Sequence, residues 1–426
     1  MRVGFFSQWY EPEPGPAALT SVAARALSAR GHEVHVLTGF PNYPTGVLAD
    51  GYRQRAYMRE ELGGVQVHRV PLYPSHDRSA LRRVLNYASF GLSAAAIGVP
   101  QLPKLDALWV NYSPITLAFP MWLQQVLHST PTVCEVGDLW PDTMAVSGLS
   151  GSSALTRFGR SVLDRWCNAM YSSSEAVVYI SPGVGEILAD RGVPRDKLHY
   201  IPKSADEETF HPSGTSMREK LGIDEDAVVL VYAGAMGLAQ GLGTLIDACR
   251  LIDDPRLVVL LAGSGTQEAA LREAVSSGGI RNVRFLGRVP HAEMSDLLAT
   301  ADVAFVSLAD HPLSAVTMPS KTQSTLAAGC AVLVAATGDV ADLVRSNGVG
   351  FTARAGDAES IADALRAVLR VGRRGLADIG RTARLVYESQ FSLERSTESI
   401  EMLLGSVAAE PRRRKLPAIR KGARRG

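Results

Sequence analysis

The chain has 426 residues, of which 46% are hydrophobic, so it is long and apolar enough to bury two cores, and two domains are expected. Its 44 Lys and Arg nearly balance its 43 Asp and Glu, so no overall field favours nucleic acid as a partner. The segment 411–426 differs, because it holds eight basic residues and no acid. We expect a disordered basic tail that can adhere to anionic surfaces, or else a solvated terminus without a role.

Short apolar runs alternate with helical patterns along the chain, which indicates parallel sheets covered by helices on both faces. The first predicted strands are Val3–Phe6, Glu33–Leu37, Val65–Val70, Ala107–Val110, Thr132–Glu135 and Ala176–Ile180. After a polar stretch, a second series begins: Val228–Ala233, Arg256–Ala262, Val283–Leu286, Val303–Val306 and Ala331–Ala335. The restart predicts an α/β protein with two doubly wound Rossmann-like domains facing a cleft, the usual place for a ligand.

The domain boundaries are expected in the polar stretch and after the second series. We place the N-terminal domain at 1–203 and the second domain at 204–390. A C-terminal helix at 391–410, which can pack back on the first domain, would precede the tail at 411–426.

One uncharged apolar segment, Val84–Val99, follows several arginines. It is shorter than the roughly 20 residues that a helix needs to span a bilayer. Two interpretations stay open, a helix lying on a membrane surface and a buried crossover helix. The first, together with the basic tail, would give peripheral membrane contact.

The four cysteines are far apart and in apolar contexts: Cys134, Cys167, Cys249 and Cys330. No pair has the spacing of metal ligands, so they are expected to be buried thiols of a reducing compartment. We expect a cytoplasmic protein, at the inner face of the cell membrane if the apolar segment docks there.

Glycine-bearing loops follow three predicted strands, at the edge where open α/β sheets bind ligands. Gly15 and Pro16 follow the first strand. In the second domain, Gly234, Met236 and Gly237 follow one strand, and Gly263 and Gly265 follow the next. A glycine can serve only a tight turn, but two such loops in one domain favour a nucleotide diphosphate, with the amides of 234–237 as donors.

A further anion site is predicted where Pro319-Ser320-Lys321 opens a helix that Gly329 ends. A helix N-terminus presents unpaired N–H groups and a partial positive charge, and Lys321 adds a cation. The alternatives are a solvated lysine and a serine that only caps the helix.

These elements resemble, in order and spacing, the retaining glycosyltransferases of family four, which have the GT-B fold. The matching pieces are the Gly15 loop, Gly31-His32-Glu33-Val34, Asp138-Leu139-Trp140-Pro141, Tyr200-Ile201-Pro202, Tyr232-Ala233-Gly234, Gly263-Ser264-Gly265, Phe285-Leu286-Gly287 and Pro319-Ser320-Lys321. The Asp-Leu-Trp-Pro element resembles a bacterial subgroup that builds capsule, O-antigen and colanic-acid-type polysaccharides and includes N-acetylfucosamine transferases.

The resemblance implies sugar transfer from a nucleotide-diphosphate donor, with UDP favoured, to a glycan, polyprenyl-linked or small-molecule acceptor. It also implies retention at the anomeric carbon, no bound metal and no cofactor, because the sugar nucleotide is a substrate. The implied catalytic residues are Asp138 and Lys321, and Asp138 would contact the acceptor with Gly15 and Pro16. The implied donor-binding residues are Gly234, Met236, Gly237, Gly263, Gly265, Arg288, Ser320, Lys321 and Gln323.

Two positions depart from the family, which usually has two glutamates eight residues apart. Here those positions carry Ala315 and Gln323. Three interpretations stay open: an ordinary transferase, a transferase with an unusual amino- or deoxy-sugar donor, and a donor-impaired, non-catalytic binding or partner subunit. Asp138 also has a structural alternative as a turn residue, and Glu135 and Asp142 could take its role.

Overall fold

The computed structural model describes residues 1–13, 19–75, 79–143 and 154–409. The chain divides into two compact units. The first comprises Met1–Pro202 together with the chain from Ser396 onward, and the second comprises Lys203–Arg395. The predicted basic tail, 411–426, lies outside the described residues.

Among its described residues, the first unit has one sheet of eight strands. They are β1 (Arg2–Phe6), β2 (Glu33–Gly39), β3 (Met58–Leu62), β4 (Val65–Val70), β5 (Ala107–Asn111), β6 (Thr132–Val136), β7 (Ala176–Tyr179) and β8 (Leu198–Tyr200). Their order is β3-β4-β2-β1-β5-β6-β7-β8, and β3 is antiparallel to β4, so the sheet is mixed. Successive strands are added on one side of β1 up to β4 and on its other side from β5 onward. The place between β1 and β5 is therefore the switch point of the strand order, where α/β sheets bind ligands.

The second unit has a parallel sheet of six strands. They are β9 (Val228–Ala233), β10 (Leu257–Ala262), β11 (Val283–Gly287), β12 (Val303–Ser307), β13 (Ala331–Ala335) and β14 (Gly350–Ala353). The order β11-β10-β9-β12-β13-β14 is that of a dinucleotide-binding Rossmann domain. Its switch point lies between β9 and β12. The prediction of two Rossmann-like α/β domains is thus confirmed.

Helices connect the strands on both faces of each sheet. In the first unit they are α1 (Leu19–Ala29), α2 (Ala80–Ser93), α3 (Ala118–His128), α4 (Ala154–Ser173) and α5 (Pro182–Asp190). In the second they are α6 (Leu242–Arg250), α7 (Glu268–Ser277), α8 (Met294–Thr300), α9 (Ser320–Ala327), α10 (Asp339–Asn347) and α11 (Ala358–Gln390). The last helix is α12 (Leu393–Ala409).

Helix α12 completes the core of the first unit. Its apolar side chains Ile400, Leu403, Leu404 and Val407 pack in one buried cluster with residues of β1 and β2. At the surface, Glu401 pairs with Arg30 and His32, both at 2.7 Å.

The segment Val84–Val99 is a crossover helix with an unusual surface. It begins within α2 and continues through a π-helical turn, Ala94–Gly98. One face is buried through Asn86 and Phe90. The opposite face exposes large apolar side chains: Leu81, Val84, Leu85 and Leu92. The segment is therefore buried on one face, as a crossover helix would be, and it begins within a helix whose other face exposes apolar side chains, as a helix on a membrane surface would.

The prediction of buried thiols is confirmed, since all four cysteines are free and buried. In the described parts of the chain, every helix is too short or too polar to cross a membrane.

Candidate functional site

The loops after β9 and β10 touch backbone to backbone at the carboxyl edge of the second sheet. A Cβ on Gly263 would lie 1.9 Å from the Gly234 carbonyl oxygen, and one on Gly265 would lie 2.4 Å from that of Met236. Gly263 also has φ near +131°, which side-chain-bearing residues rarely adopt. Both glycines are therefore explained by close packing of the two loops.

Most amides of the loop after β9 already donate within the protein. The N–H of Gly234 donates to Ala262 O (3.0 Å) and that of Met236 to Ser264 O (2.9 Å). The N–H of Gly237 donates to Gln240 Oε1 (3.1 Å). This corrects the expectation that the amides of 234–237 all face a diphosphate: among the described residues, only the Ala235 N–H of this loop lacks an acceptor.

Lys321 lies beside this loop, over an aromatic ring. Its Nζ is 4.0 Å from the centroid of Tyr232, within the range of a cation–π contact. A Cβ on Gly234 would lie 2.9 Å from the same Nζ, so a side chain there would displace the ammonium. Burial lowers the pKa of Lys321 to about 8. In the described part of the chain, no carboxylate forms an ion pair with Lys321, and burial is the only cause of its pKa shift, so its charge can serve a bound anion.

The start of α9 brings backbone donors to the same place. Its cap residue, Pro319, has no side-chain hydrogen bond to the helix, so the first N–H groups, at Ser320 and Lys321, have no cap. The side chain of Gln323 is buried. In the orientation that suits its neighbours, its amide nitrogen donates to Pro319 O at 2.9 Å. That nitrogen is thus engaged with the helix end.

Arg288 reaches the loop after β10 from the end of β11. Its Nε donates to the Ser264 hydroxyl at 2.7 Å, and the guanidinium is exposed. The Gly263 N–H donates to Gly287 O at 2.6 Å, which fixes this loop to β11. The structure therefore brings Arg288 to the glycine loops.

Of the two departures from the family, Ala315 precedes Lys321 in the chain and Gln323 follows it. Ala315 is in a short 3-10 turn, Pro312–Val316, after β12. Its carbonyl oxygen is 1.9 Å from where a Cβ of Gly338 would be, so the backbone is tightly packed there. The methyl group of Ala315 offers no hydrogen bond to a ligand.

In the first unit, Asp138 is exposed just after β6. The Ser113 hydroxyl, just after β5, donates to its Oδ2 at 2.9 Å. The rival carboxylates are engaged: Glu135 is buried and accepts from Trp109 Nε1 at 3.1 Å. Asp142 pairs with two arginines, Arg160 and Arg191. Of these three carboxylates, Asp138 is therefore the one that is exposed to solvent. The predicted acceptor residues Gly15 and Pro16 lie outside the described residues.

Sequence reasoning missed the polar partners of these residues. Tyr232 follows the apolar pattern of β9, and its hydroxyl donates to Ala235 O at 2.5 Å. Ser264 stands between two glycines that drew attention instead. Only the positions of Tyr232 and Ser264 at strand ends could have indicated that they take part in the site.

Within the described ranges, no group of three His, Cys, Asp or Glu could hold a metal ion.

Comparison with known proteins gives two family matches that together span most of the chain. Residues 15–203 match the model of the glycosyl transferase 4-like domain. Residues 214–385 match that of the glycosyl transferases group 1.

Among individual proteins, the chain is similar to WcaI of Escherichia coli (strain K12), named as a colanic acid biosynthesis glycosyl transferase. The two are 28% identical over 77% of this chain and 82% of that protein. Among solved structures, sucrose-phosphate synthase from Thermosynechococcus elongatus is similar with a TM-score of 0.72, at 18% identity over 96% of this chain and 99% of that one. Anabaena HepE, in complex with UDP and glucose, is similar with a TM-score of 0.68, at 16% identity over 95% of this chain and 100% of that one.

The fold, the order of the motifs and both family matches agree with one another. The chain belongs to the family-four glycosyltransferases with the GT-B fold.

Proposed function

We propose that this glycosyltransferase takes a sugar from a nucleotide-diphosphate donor and transfers it, with retention, to a glycan, lipid-linked or small-molecule acceptor. The observation that carries the proposal is the Lys321 ammonium, which lies over Tyr232 at 4.0 Å beside the glycine loops, without a carboxylate partner in the described chain. An unpaired, partly buried cation beside uncapped helix amides favours a bound anion of the size of a diphosphate.

The second unit would hold the donor. Lys321, the amides that open α9 and the Ala235 N–H would contact the diphosphate, and the exposed Arg288 would add a second cation. UDP is the favoured nucleotide, because HepE was solved with UDP and has the same fold. An amino- or deoxy-sugar would suit the pocket, since Ala315 has no hydrogen-bonding group for a sugar hydroxyl.

The first unit would hold the acceptor near Asp138. In the proposed step, the bond between the anomeric carbon and the diphosphate oxygen breaks as the acceptor oxygen bonds to the same face of that carbon. The acceptor proton passes to the departing diphosphate. Lys321 would stabilise the charge that builds on the leaving group, and Asp138 would orient the acceptor hydroxyl. No cofactor or metal has a role in this step.

We further propose that the protein works in the cytoplasm at the inner face of the membrane, with α2 against the lipid. The exposed apolar side chains Leu81, Val84, Leu85 and Leu92 support this location.

A second candidate function is a donor-impaired binding or partner subunit. It is favoured by Ala315, which cannot replace a glutamate, and by Gln323, whose amide nitrogen turns onto Pro319. A nucleotide-binding measurement separates the two candidates.

The test is calorimetric titration of the whole chain with UDP, for the wild type, for Lys321→Met and for Lys220→Met. Lys220 is an exposed lysine of the second unit and serves as the matched control. Lys321→Met should weaken UDP binding by about 10- to 100-fold, the scale of a charge-assisted hydrogen bond. Lys220→Met should bind as the wild type does.

The same titration should depend on pH through Lys321. Because its pKa is about 8, the ammonium is present below that pH and lost above it. Wild-type affinity should therefore be steady below about pH 8 and fall up to about tenfold per pH unit above it, while Lys321→Met stays flat. If UDP does not bind at all, the donor-impaired candidate is favoured. If Lys321→Met binds as well as the wild type, Lys321 does not contact the diphosphate.

A further inference from the structure

Three half-exposed aromatic rings cluster at the carboxyl edge of the first sheet. Trp9 follows β1, Tyr43 follows β2 and Tyr87 is on α2. The ring centroid of Trp9 lies 6.2 Å from that of Tyr43, and the rings are inclined at 61°. The centroid of Tyr87 also lies 6.2 Å from that of Trp9, at 88°. We call these three residues the aromatic cluster.

Buried polar groups fix the loops that carry the cluster. The carboxylate of Glu13, itself buried, accepts hydrogen bonds from the backbone N–H groups of Tyr10 (3.0 Å), Asn42 (2.8 Å) and Tyr43 (2.9 Å). It therefore ties the loop after β1 to the loop after β2. Burial raises the pKa of Glu13, although the three N–H groups oppose that rise.

A second set of contacts ties the same loops to their neighbours. The fully buried Arg69 donates to the carbonyls of Gly39 (3.1 Å) and Glu11 (2.5 Å). The side chain of Gln8, next to Trp9, donates to Asn86 Oδ1, next to Tyr87, at 2.6 Å. The backbone that carries the rings is thus held in place before any ligand arrives, which lowers the entropy that binding would cost.

The cluster lies where a ligand of this sheet is expected. Trp9 and Ser113 follow β1 and β5, the two strands at the switch point. The segment after β5 links Asp138 to the helix of Tyr87: Ser113 donates to Asp138, and the Thr116 hydroxyl donates to the Tyr87 carbonyl oxygen at 2.7 Å. Burial raises the pKa of Tyr87, Arg83 opposes the rise and Asp138 adds to it. Aromatic faces and a hydrogen-bonding carboxylate therefore occur at the same edge of the sheet.

We infer that Trp9, Tyr43 and Tyr87 form a stacking subsite for a pyranose ring, with Asp138 and Ser113 hydrogen-bonding the hydroxyl groups at its edge. A pyranose has an apolar face of C–H groups and a rim of hydroxyls, and it matches aromatic rings beside a carboxylate. That this sugar belongs to the acceptor rests on the proposed function. A phosphate or nucleotide would not suit the place, because Asp138 would repel it.

The test uses ¹⁹F NMR of the whole chain labelled with 5-fluorotryptophan. The chain has five tryptophans, and Trp9→Phe identifies the Trp9 resonance. The probes are the methyl α-pyranosides of glucose, galactose, mannose and fucose. At least one should shift the Trp9 resonance saturably, and Tyr87→Leu should weaken that binding by about five-fold. Tyr200→Leu, which removes an exposed ring stacked on Tyr179 far along the sheet, should leave it unchanged.

The subsite is wrong if none of the four pyranosides shifts the Trp9 resonance, or if Tyr87→Leu and Tyr200→Leu behave alike. Unfolding by urea, followed by tryptophan fluorescence, shows that each variant is folded, and Tyr43→Leu gives a second variant of the cluster. UDP titration in parallel keeps the two proposals apart. Pyranoside binding without UDP binding would overturn the donor site alone, and UDP binding without pyranoside binding would overturn the subsite alone.

Discussion

A lysine ammonium held over an aromatic ring keeps its charge available to a ligand, whereas a lysine paired with a carboxylate does not. Lys321 is in the first situation, 4.0 Å from the Tyr232 centroid. Tyr232 is fixed in turn, because its hydroxyl donates to Ala235 O. Lys321, which the sequence predicted as a cation of the site, and the ring of Tyr232, whose role it did not predict, therefore act together. The ring holds the ammonium beside Gly234 without neutralising it.

Two buried histidines show the opposite case, in which burial removes a charge. His35 on β2 and His68 on β4 have ring nitrogens 3.0 Å apart. Glu33 and Tyr57 complete the chain, at 3.0 Å from His35 Nε2 and 2.6 Å from His68 Nδ1. Burial, together with the neighbouring His35, lowers the pKa of His68 to about 4. Burial also lowers the pKa of His35.

These histidines predict that acid destabilises the first unit. Their folded-state pKa values lie below the unfolded value of 6.5, so their contribution to stability is complete above pH 6.5 and is lost as pH falls toward about 4. For His68 alone the loss over that range is about 3 kcal/mol. Urea unfolding at several pH values, followed by tryptophan fluorescence, should show a weaker pH dependence in His68→Gln. His128→Gln, at the end of α3, is the control, and equal slopes in all three proteins would contradict the prediction.

At the scale of elements, the apolar pattern predicts buried strands well and edge strands poorly. Val65–Val70, Val228–Ala233 and Ala331–Ala335 have the predicted bounds. The strands that were not predicted are β3, β8 and β14, all at or next to a sheet edge. Edge strands need not be apolar, and β3, with the sequence Met-Arg-Glu-Glu-Leu, is largely polar. Their pairing partners, which the local pattern does not contain, determine them.

The same limit applies to the candidate site. Glycines at strand ends and a lysine at a helix start can be read from the sequence, because each has a local cause. Which amides are already engaged cannot be read from it, since the Met236 N–H donates to Ser264 on another loop. The partner of Asp138, Ser113, is 25 positions away in the chain. Contacts of this kind depend on the strand order.

Helix α2 exposes more apolar side chains than is usual for a helix that faces only water. Its row of Leu81, Val84, Leu85 and Leu92 is exposed, and Arg82 lies beside it. The chain from Ser79 to Lys104 has no acidic residue. An apolar row flanked by cations complements the surface of an anionic bilayer.

We therefore expect the protein to sediment with phosphatidylglycerol vesicles at low salt. Replacing Leu81, Val84 and Leu85 together by Gln should weaken binding by at least about tenfold, because the apolar contact is lost. The matched control replaces three exposed apolar residues elsewhere, Val371, Leu385 and Met402, by Gln. Deleting 411–426 should weaken binding too, since eight cations are removed. If the α2 variant and the control sediment alike, α2 is not the docking surface.

At the scale of the whole molecule, the first unit is made from two separate parts of the chain. The chain leaves it after Pro202 and returns at Ser396. Helix α12 then packs Leu404 and its neighbours against strands β1 and β2. Because the core needs both parts, the first unit should fold completely only when the chain that follows the second unit is present.

This dependence gives a prediction with an internal control on one helix. Leu404 is fully buried, whereas Met402, two positions away, is 69% exposed. Leu404→Ala should lower the free energy of unfolding of the first unit by about 2–5 kcal/mol, and Met402→Ala should change it by less than about 0.5 kcal/mol. The five tryptophans all belong to the first unit (Trp9, Trp109, Trp122, Trp140 and Trp166), so fluorescence during urea unfolding reports on that unit. If both variants unfold at the wild-type urea concentration, α12 is not part of the folded core, and the first unit is complete at Pro202.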